Sequence, residues 1–311
     1  MITASATRLD GNQPVPDALR GAMIALGNFD GFHTGHQAVA GEAIRWAKAS
    51  GRPAIIATFD PHPVRFFRPD APPFRLTTLD QRERLFLAAG ADAMLVFSFG
   101  RELAGTSAED FITALLIERF GAHGVVTGED FSFGKGAKGN IAILRDHGAA
   151  HGLEARAVSP VKDGEVISSS RIREALQAGD PQEAARLMSR PFAVQAEVQH
   201  GDKNGRKLGY PTANLDLGHY LRPKYGVYAV TGRLSDGRVL KGAANLGIRP
   251  QFDPPKELLE PYFFDFDEDL YGQTIEVALH HYLRAEAKFD DLDALMAQMA
   301  RDCEQARQLL G

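Results

Sequence analysis

The sequence is poor in cysteine and lacks long apolar runs. Cys303 is the one cysteine in 311 residues, so no disulfide can form within the chain, and a reducing compartment is expected. No apolar run approaches the ~18 residues that a membrane-spanning helix needs, and residues 1–21 show no signal-peptide pattern. We therefore expect a cytoplasmic protein with no membrane partner.

The sequence also lacks an excess of basic residues. It contains 35 lysines and arginines against 40 aspartates and glutamates, a net charge of −5. A protein that coats nucleic acid carries a basic footprint, so no nucleic-acid partner is expected. A small anionic ligand is still compatible with this charge, because one local pocket can be positive on an acidic protein.

The first 190 residues alternate short apolar segments with helical ones. Strands that are apolar on both faces and separated by helices predict a parallel sheet covered on both sides, which is an α/β, Rossmann-like domain. The segments that read as strands are MIALGNF, PAIIATF, AMLVFSF, GVVTGE and EARAVSPV.

The pattern changes near Pro191. The segments that follow alternate apolar and polar residues, and turn residues separate them, which predicts an antiparallel barrel or sandwich. The last 20 or so residues have the spacing of an amphipathic helix. We therefore predict one domain over residues 1–188 and a second, all-β domain over residues 189–311.

The motif GNFDGFHTGH lies between a predicted strand and a predicted helix. Gly27 and Gly31 allow a close turn of the backbone, and the helix is expected to begin near Gly35 or His36. The first amides of a helix and its dipole favour an anion, and His33 and His36 can both point at that anion. This context predicts a phosphate site, although two surface histidines would give the same short pattern.

Three other motifs of the first half contain residues that could contact a ligand. In ISSSRIREAL, Arg171 and Arg173 stand in a first helical turn, where a phosphate would explain two cations better than the dipole does. The alternatives are solvated arginines beside an ordinary serine N-cap. Phenylalanines in EDFSFG could stack on a flat ring, or they could be core residues. In TFDPHP, His62 either contacts a ligand or shapes the loop.

The segment NGRKLGYPTANLDL is the strongest pattern of the second half. Thr212 and Asn214 are two residues apart, so they face the same side of an extended chain. A hydroxyl and an amide oxygen are hard ligands that suit Mg²⁺ bound to ATP phosphates. Gly205 and Gly209 allow close backbone approach, but an ordinary turn would contain the same residue types.

The first-half motifs, in this order and spacing, resemble the FAD synthetase half of the bacterial bifunctional riboflavin kinase/FAD synthetase family, a nucleotidyltransferase. The resemblance implies transfer of AMP from ATP to FMN with release of pyrophosphate. It implies catalytic roles for His33, His36 and Arg171. It implies ATP or phosphate binding by Gly27, Asn28, Phe29, Asp30, Gly35, Ser169 and Arg173, and flavin binding by Phe59, His62, Asp130, Phe131 and Phe133.

The segments GYPTAN, YGVYAV, NLGIRP and LLEPYFFDF resemble riboflavin kinases. The resemblance implies a six-stranded barrel that transfers the γ-phosphate of ATP to the 5′-hydroxyl of riboflavin. Glu260 would be the catalytic base, Thr212 and Asn214 would hold Mg²⁺, and Gly205, Lys207 and Gly209 would bind ATP. Riboflavin, FMN, FAD and ATP are then the expected partners of a monomer or weak homo-oligomer.

The chain departs from the kinase pattern close to the expected base. Gln251 replaces a usual threonine, and Pro261 and Tyr262 follow Glu260 where a β-branched residue and a histidine are common. Two alternatives therefore stand beside the bifunctional enzyme. One is a nucleotidyltransferase for another substrate with an RNA-binding barrel, and the other is a flavin carrier or regulator without kinase activity.

Overall fold

The computed structural model describes residues 7–200, 210–249 and 256–311, and the chain divides into two compact units. The first unit contains the described residues before Pro73, together with Leu79–Ile167. The second unit contains Pro73–Thr78 and the described residues from Ser168 onward.

The boundary between the units lies earlier in the chain than the predicted domain boundary. Residues 168–188 cluster with the second unit, whereas the sequence placed the boundary after residue 188. Hydrogen bonding and burial explain the grouping, because the Lys224 N–H donates to the Leu176 carbonyl at 3.0 Å, and Leu187 and Met188 are fully buried. The residue at which the two activities divide stays a prediction.

The first unit contains six parallel strands. They are β1 (Arg8–Asp10), β2 (Met23–Leu26), β3 (Ala54–Asp60), β4 (Ala93–Ser98), β5 (Gly124–Gly128) and β6 (Glu154–Val158). The strand order is β1-β4-β3-β2-β5-β6, so the direction of winding reverses between β2 and β5. Loops at the carboxyl ends of strands diverge at such a reversal and leave a crevice for a ligand. The predicted parallel α/β fold is confirmed.

Helices cover both faces of this sheet. Within β2, Ile24 and Leu26 belong to the core on one face, and Met23 and Ala25 to the core on the other. This is the arrangement that strands apolar on both sides require. The helices are α1 (Thr34–Ala49), α2 (Pro63–Phe67), α3 (Leu79–Ala88), α4 (Arg101–Gly105), α5 (Ala108–Asp110), which continues as a π-helix over Phe111–Arg119, and α6 (Ile141–Ala150).

The second unit contains a closed antiparallel barrel of six strands. They are β7 (Phe192–Gln199), β8 (Asn214–Asp216), β9 (Gly226–Arg233), β10 (Val239–Arg249), β11 (Lys256–Phe263) and β12 (Thr274–Arg284). The order around the barrel is β10-β11-β8-β7-β12-β9, which confirms the barrel. Three helices accompany it: α7 (Ser169–Ala178), α8 (Pro181–Met188) and α9 (Leu292–Leu310). None of the described helices combines the length and apolar character needed to cross a bilayer.

Candidate active sites

The loop after β2 carries the first predicted motif and lies where the strand order reverses. Its strand pairs with β3 on one side and β5 on the other. The Gly27 N–H donates to the Ala57 carbonyl at 3.2 Å, and the side chains of Asp30 and His33 are almost fully buried. Burial of this kind argues against the alternative of two surface histidines.

The backbone of this loop takes an uncommon course. Phe29 and Phe32 have φ angles of 49° and 40°, in the left-handed region that side chains other than glycine rarely adopt. Both rings pack on Phe86, with centroids 5.8 and 4.9 Å away. A β-carbon at Gly27 would lie 3.0 Å from the Phe29 ring, so a larger residue would press on this packing. Aromatic packing thus holds a strained loop in one shape, as is common at ligand sites.

His33 and His36 lie together at the start of α1, which begins at Thr34. His33 is the N-cap, and its Nδ1 accepts the His36 N–H at 3.3 Å. The two rings stack with centroids 3.6 Å apart. A β-carbon at Gly35 would lie 3.0 Å from His33 Cε1, so glycine leaves room for the ring. Because Nδ1 accepts, the neutral ring carries its proton on Nε2, from which it can donate to an anion.

A buried arginine supports the loop, and the sequence motifs did not indicate it. Arg82 is 1% exposed, and its Nη1 donates to Thr58 Oγ1 at 2.8 Å and to the Asn28 carbonyl at 3.4 Å. Thr58 Oγ1 donates to the same carbonyl at 2.7 Å. Arg82 therefore connects the ends of β2 and β3 behind the predicted phosphate site.

Two oxygens of this region lack a partner. Asn28 Oδ1 and Thr34 Oγ1 are buried, and neither has a hydrogen bond within the part of the chain that the structure describes. A buried polar atom without a partner carries a free-energy cost that a bound polar molecule can remove. A nucleotide, with its many donors and acceptors, fits this requirement.

The predicted flavin residues lie near the ends of β3 and β5 in different environments. Phe59 and Phe133 are 5% and 6% exposed and belong to the core, which favours packing roles. Phe131 is half-buried and stacks on Phe133 with centroids 6.0 Å apart, while Asp130 is exposed. His62 caps α2 through Nδ1 at 3.2 Å. Flavin binding by these residues stays a prediction, with Phe131 the best placed to stack.

The serine and arginines of ISSSRIREAL belong to the second unit. Ser168 is the N-cap of α7, and its Oγ accepts the Arg171 N–H at 3.3 Å, so Ser169 is the first helical residue. The Arg171 guanidinium lies 2.7 Å from Glu183. Arg173 Nε donates to a backbone carbonyl at 2.8 Å. Their predicted roles in phosphate binding are not tested by these contacts.

The barrel contains a pocket of about 440 Å³ that brings Thr212 and Glu260 together. Glu260 lies on β11 directly opposite Asn245 of β10. On its other side, β8 continues its register so that Asn214 faces Glu260. Glu260 and Asn214 therefore lie on adjacent strands, and Thr212 lies two residues before Asn214.

Arg249 contacts the predicted base, which the sequence motifs did not indicate. Its Nε donates to Glu260 Oε2 at 2.6 Å, and its Nη2 contacts the same oxygen. Its Nη1 lies 3.3 Å from Glu286 Oε1. Burial lowers the pKa of Arg249, but the two carboxylates raise it further, so the guanidinium stays charged.

One wall of the pocket is apolar. Tyr262, Phe289, Leu295, Met299 and Cys303 contribute to it from β11, the segment after β12, and α9. Burial raises the pKa of Tyr262, and it raises the pKa of the Cys303 thiol to about 11, so both groups are neutral near pH 7. A flat aromatic ring system fits such a surface.

The helix that supplies this wall is fastened to the barrel by a buried ion pair. Asp302 of α9 is 4% exposed. Arg284, the last residue of β12, donates to its carboxylate through Nη2 at 2.7 Å and Nε at 2.9 Å. Both residues also line the pocket, so the helix position and the pocket shape depend on the same pair.

The donor chemistry of the barrel pocket fits a metal that arrives with a nucleotide. Within the described ranges, no group of three or more His, Cys, Asp and Glu side chains is arranged to hold a metal ion. Thr212 and Asn214 offer a hydroxyl and an amide oxygen, and phosphate oxygens can supply the remaining ligands of a hard cation. Gly205, Lys207, Gly209 and Gln251 lie outside the described residues.

Comparisons with known proteins identify two domain families in the chain. A family model described as FAD synthetase matches residues 15–171, and one described as riboflavin kinase matches residues 188–310. Residues 172–187, which fall between the two matches, include most of α7 and α8. The first match covers the first-half motifs as far as Arg171, and the second covers the motifs of the barrel.

Relatives match along nearly the whole chain. A bifunctional riboflavin kinase/FMN adenylyltransferase of Escherichia coli K12 is 36% identical, over 94% of this chain and 93% of its own length. One of the same name from Pseudomonas fluorescens is 37% identical over 93% of each chain. A solved structure titled as a macrolide-efflux protein from Streptococcus pneumoniae is 30% identical, with a TM-score of 0.86 over 97% of this chain and 99% of that chain. This chain therefore belongs to the bifunctional riboflavin kinase/FMN adenylyltransferase family.

Proposed function

We propose that the chain makes FAD from riboflavin in two ATP-dependent steps. In the barrel, the γ-phosphate of ATP passes to the 5′-hydroxyl of riboflavin and gives FMN and ADP. In the first unit, AMP passes from a second ATP to FMN and gives FAD and pyrophosphate. Besides family membership, the observation that carries the proposal is the barrel pocket in which Glu260 and Thr212 lie beside an apolar wall.

In the kinase step, the flavin ring lies on the apolar wall and its ribityl 5′-hydroxyl meets Glu260. Glu260 accepts the hydroxyl proton as the oxygen bonds to the γ-phosphorus and the bond to ADP breaks. Thr212 and Asn214 hold Mg²⁺, which neutralises phosphate charge when it is bound. Gly205, Lys207 and Gly209 contribute to ATP binding in this proposal.

In the adenylylation step, the site positions two substrates and stabilises phosphate charge. The α1 N-terminus, His33 and His36 hold the triphosphate, with the loop Gly27–Asp30 and Gly35 around it. Phosphate binding by Arg171, Arg173 and Ser169 also belongs to the proposal. The phosphate of FMN attacks the α-phosphorus directly, so no covalent enzyme intermediate forms.

The flavin of FMN lies beside Phe131 in this step, close to Asp130 and His62, while Phe59 and Phe133 support the surface from the core. Mg²⁺ is the proposed cation for both reactions. A cytoplasmic location and a monomer or weak homo-oligomer complete the proposal. No nucleic acid takes part.

Chromatography of the products of riboflavin, ATP and Mg²⁺ tests the function. We expect FMN to appear first and FAD to follow. A flavin carrier or regulator without kinase activity would form FAD only when FMN is supplied. A nucleotidyltransferase for another substrate would form neither product, and either result would overturn the proposal.

A further inference from the structure

Three side-chain contacts connect four polar residues at one edge of the barrel pocket. Arg249 binds Glu260 through Nε at 2.6 Å and reaches Glu286 through Nη1 at 3.3 Å. Asn245 Nδ2 donates to Glu286 Oε1 at 3.0 Å. Asn245 is also directly opposite Glu260 in the pairing of β10 and β11.

One arginine is thus shared between two carboxylates. The side chains of Arg249 and Glu260 are 20% and 18% exposed, and that of Glu286 is 40% exposed. The stronger contact goes to Glu260, the proposed base. Both Arg249 contacts to the base fall on Glu260 Oε2. The lone pairs of that oxygen are therefore committed, and it can accept the hydroxyl proton only when the contact loosens.

The Glu286 carboxylate lies against the backbone of Gly247, in space that a larger side chain would fill. A β-carbon at Gly247 would lie 2.6 Å from Glu286 Cδ and clash with both carboxylate oxygens. Gly247 lies on β10, two residues before Arg249, and its backbone does not have a positive φ. A β-carbon there would therefore displace the Glu286 carboxylate, and the space that glycine leaves holds Glu286 beside Arg249.

We infer that Glu286 is a positioning residue of the kinase. It takes over the Arg249 guanidinium when the substrate hydroxyl reaches Glu260, and so frees the Glu260 carboxylate to accept the hydroxyl proton. The inference rests on the proposed role of Glu260 as base. Glu286 acts through Arg249 and touches neither reacting atom.

A double-mutant cycle separates this role from a direct one. In Glu286→Gln, the side chain keeps its shape and its acceptor for Asn245 but loses its charge. We expect kcat for FMN formation to fall about tenfold, a common size of coupling between contacting charges, with KM for riboflavin and ATP unchanged. In an Arg249→Gln background, the same exchange should have no further effect.

Two results would overturn the inference: an unchanged kcat in Glu286→Gln, or the same loss with and without Arg249. FMN adenylylation by the same chain normalises the enzyme concentration, and an unchanged thermal midpoint of the barrel reports that the variant is folded. Glu268→Gln is the matched control, because Glu268 pairs with Arg238 on the exposed surface of the same barrel, and it should leave kcat unchanged.

Gly247→Ala provides a second variant should Glu286→Gln not fold. It displaces the Glu286 carboxylate without changing charge, and the same loss of kcat is expected; wild-type kcat in Gly247→Ala would contradict the inference. Glu260→Gln distinguishes the two proposals. Near-wild-type FMN formation in Glu260→Gln would show that Glu260 is not the base. An inactive Glu260→Gln together with a normal Glu286→Gln would overturn only the positioning role of Glu286.

Discussion

The imidazole rings of His33 and His36 lie stacked, with centroids 3.6 Å apart and planes inclined by 20°. The stack forms because His33 is the N-cap of α1 and accepts the backbone N–H of His36. Capping and stacking together hold both rings at the positive end of the helix dipole, where an anion is stabilised. His33 therefore has a structural role and a proposed chemical one, and substitution can separate them.

Replacing His33 and His36 with alanine should lower FAD formation from FMN at least about 100-fold, because each lost donor to a developing charge costs about that much. FMN formation from riboflavin should persist, since it takes place in the barrel. Chromatography of both products measures the two steps in one sample. FAD formation near the wild-type rate in the double variant would show that His33 and His36 do not contribute to adenylylation.

A single variant isolates the cap from the chemistry. His33→Asn retains a good N-cap acceptor but has no imidazole. We expect it to keep the thermal midpoint of the wild type and to lose FAD formation. A lower thermal midpoint together with loss of FAD formation would instead indicate that His33 acts by stabilising α1.

Replacing Glu260 with glutamine should lower FMN formation about 100- to 10,000-fold, the usual contribution of a positioned base. The exchange keeps the shape of the side chain and one acceptor for Arg249. FMN adenylylation should be unchanged, and the matched exposed exchange Glu268→Gln should leave both steps intact. Riboflavin phosphorylation above a tenth of the wild-type rate would indicate that another group takes the proton.

Much of the fold could be predicted because its signals are local. The five apolar segments of the first half became β2 to β6. The first strand was missed because Arg8–Asp10 has three residues, of which only Leu9 is buried. The π-helix over Phe111–Arg119 was also missed, since apolar spacing does not distinguish it from an α-helix.

The candidate sites were predictable only in part, because only some of their residues lie within local motifs. His33 and Thr212 lie within short motifs, so the sequence pattern predicts roles for them, whereas the predicted role of Glu260 came from the family resemblance. Arg82 and Arg249 act on residues that are distant in sequence, since Arg82 and Asn28 are 54 positions apart and Arg249 and Glu286 are 37 apart. Such pairs exist only once the sheet or the barrel has formed, and no local pattern indicates them.

Replacing Asp302 with asparagine should destabilise the second unit by about 3 kcal/mol, because it leaves the Arg284 guanidinium without its buried counter-ion. The apolar wall depends on α9, so KM for riboflavin should rise as well. Chemical denaturation and kinase kinetics measure the two effects. Glu304→Gln makes the same chemical exchange on the exposed face of α9 and should change neither.

Wild-type stability in Asp302→Asn would mean that the pair contributes nothing net to the barrel, since the desolvation of the two groups would then balance their attraction. A lower stability with an unchanged KM would mean that α9 stays in place without the pair. Either result would contradict the expectation that this pair shapes the flavin surface.

The Cys303 thiol offers a pH-dependent probe of the same wall. Burial raises its pKa from the ordinary value of 9.0 to about 11, because the charged thiolate is disfavoured there. At pH 8 the thiolate fraction is then about 100-fold lower than for an unperturbed thiol. Higher basicity makes each thiolate about tenfold more nucleophilic, so reaction with an aromatic disulfide should be about tenfold slower than for a free thiol.

The rate should rise about tenfold per pH unit through pH 10 and level off only above pH 11, since the group gains its charge as the pH passes its raised pKa. Riboflavin should slow the reaction further, because Cys303 lines the pocket that the flavin is proposed to fill. The chain unfolded in urea is the control, and it should react as a free thiol. With one cysteine in the chain, labelling reports this site alone. A plateau near pH 9 would show that the thiol is hydrated, and protection by ATP alone with none by riboflavin would place the flavin elsewhere.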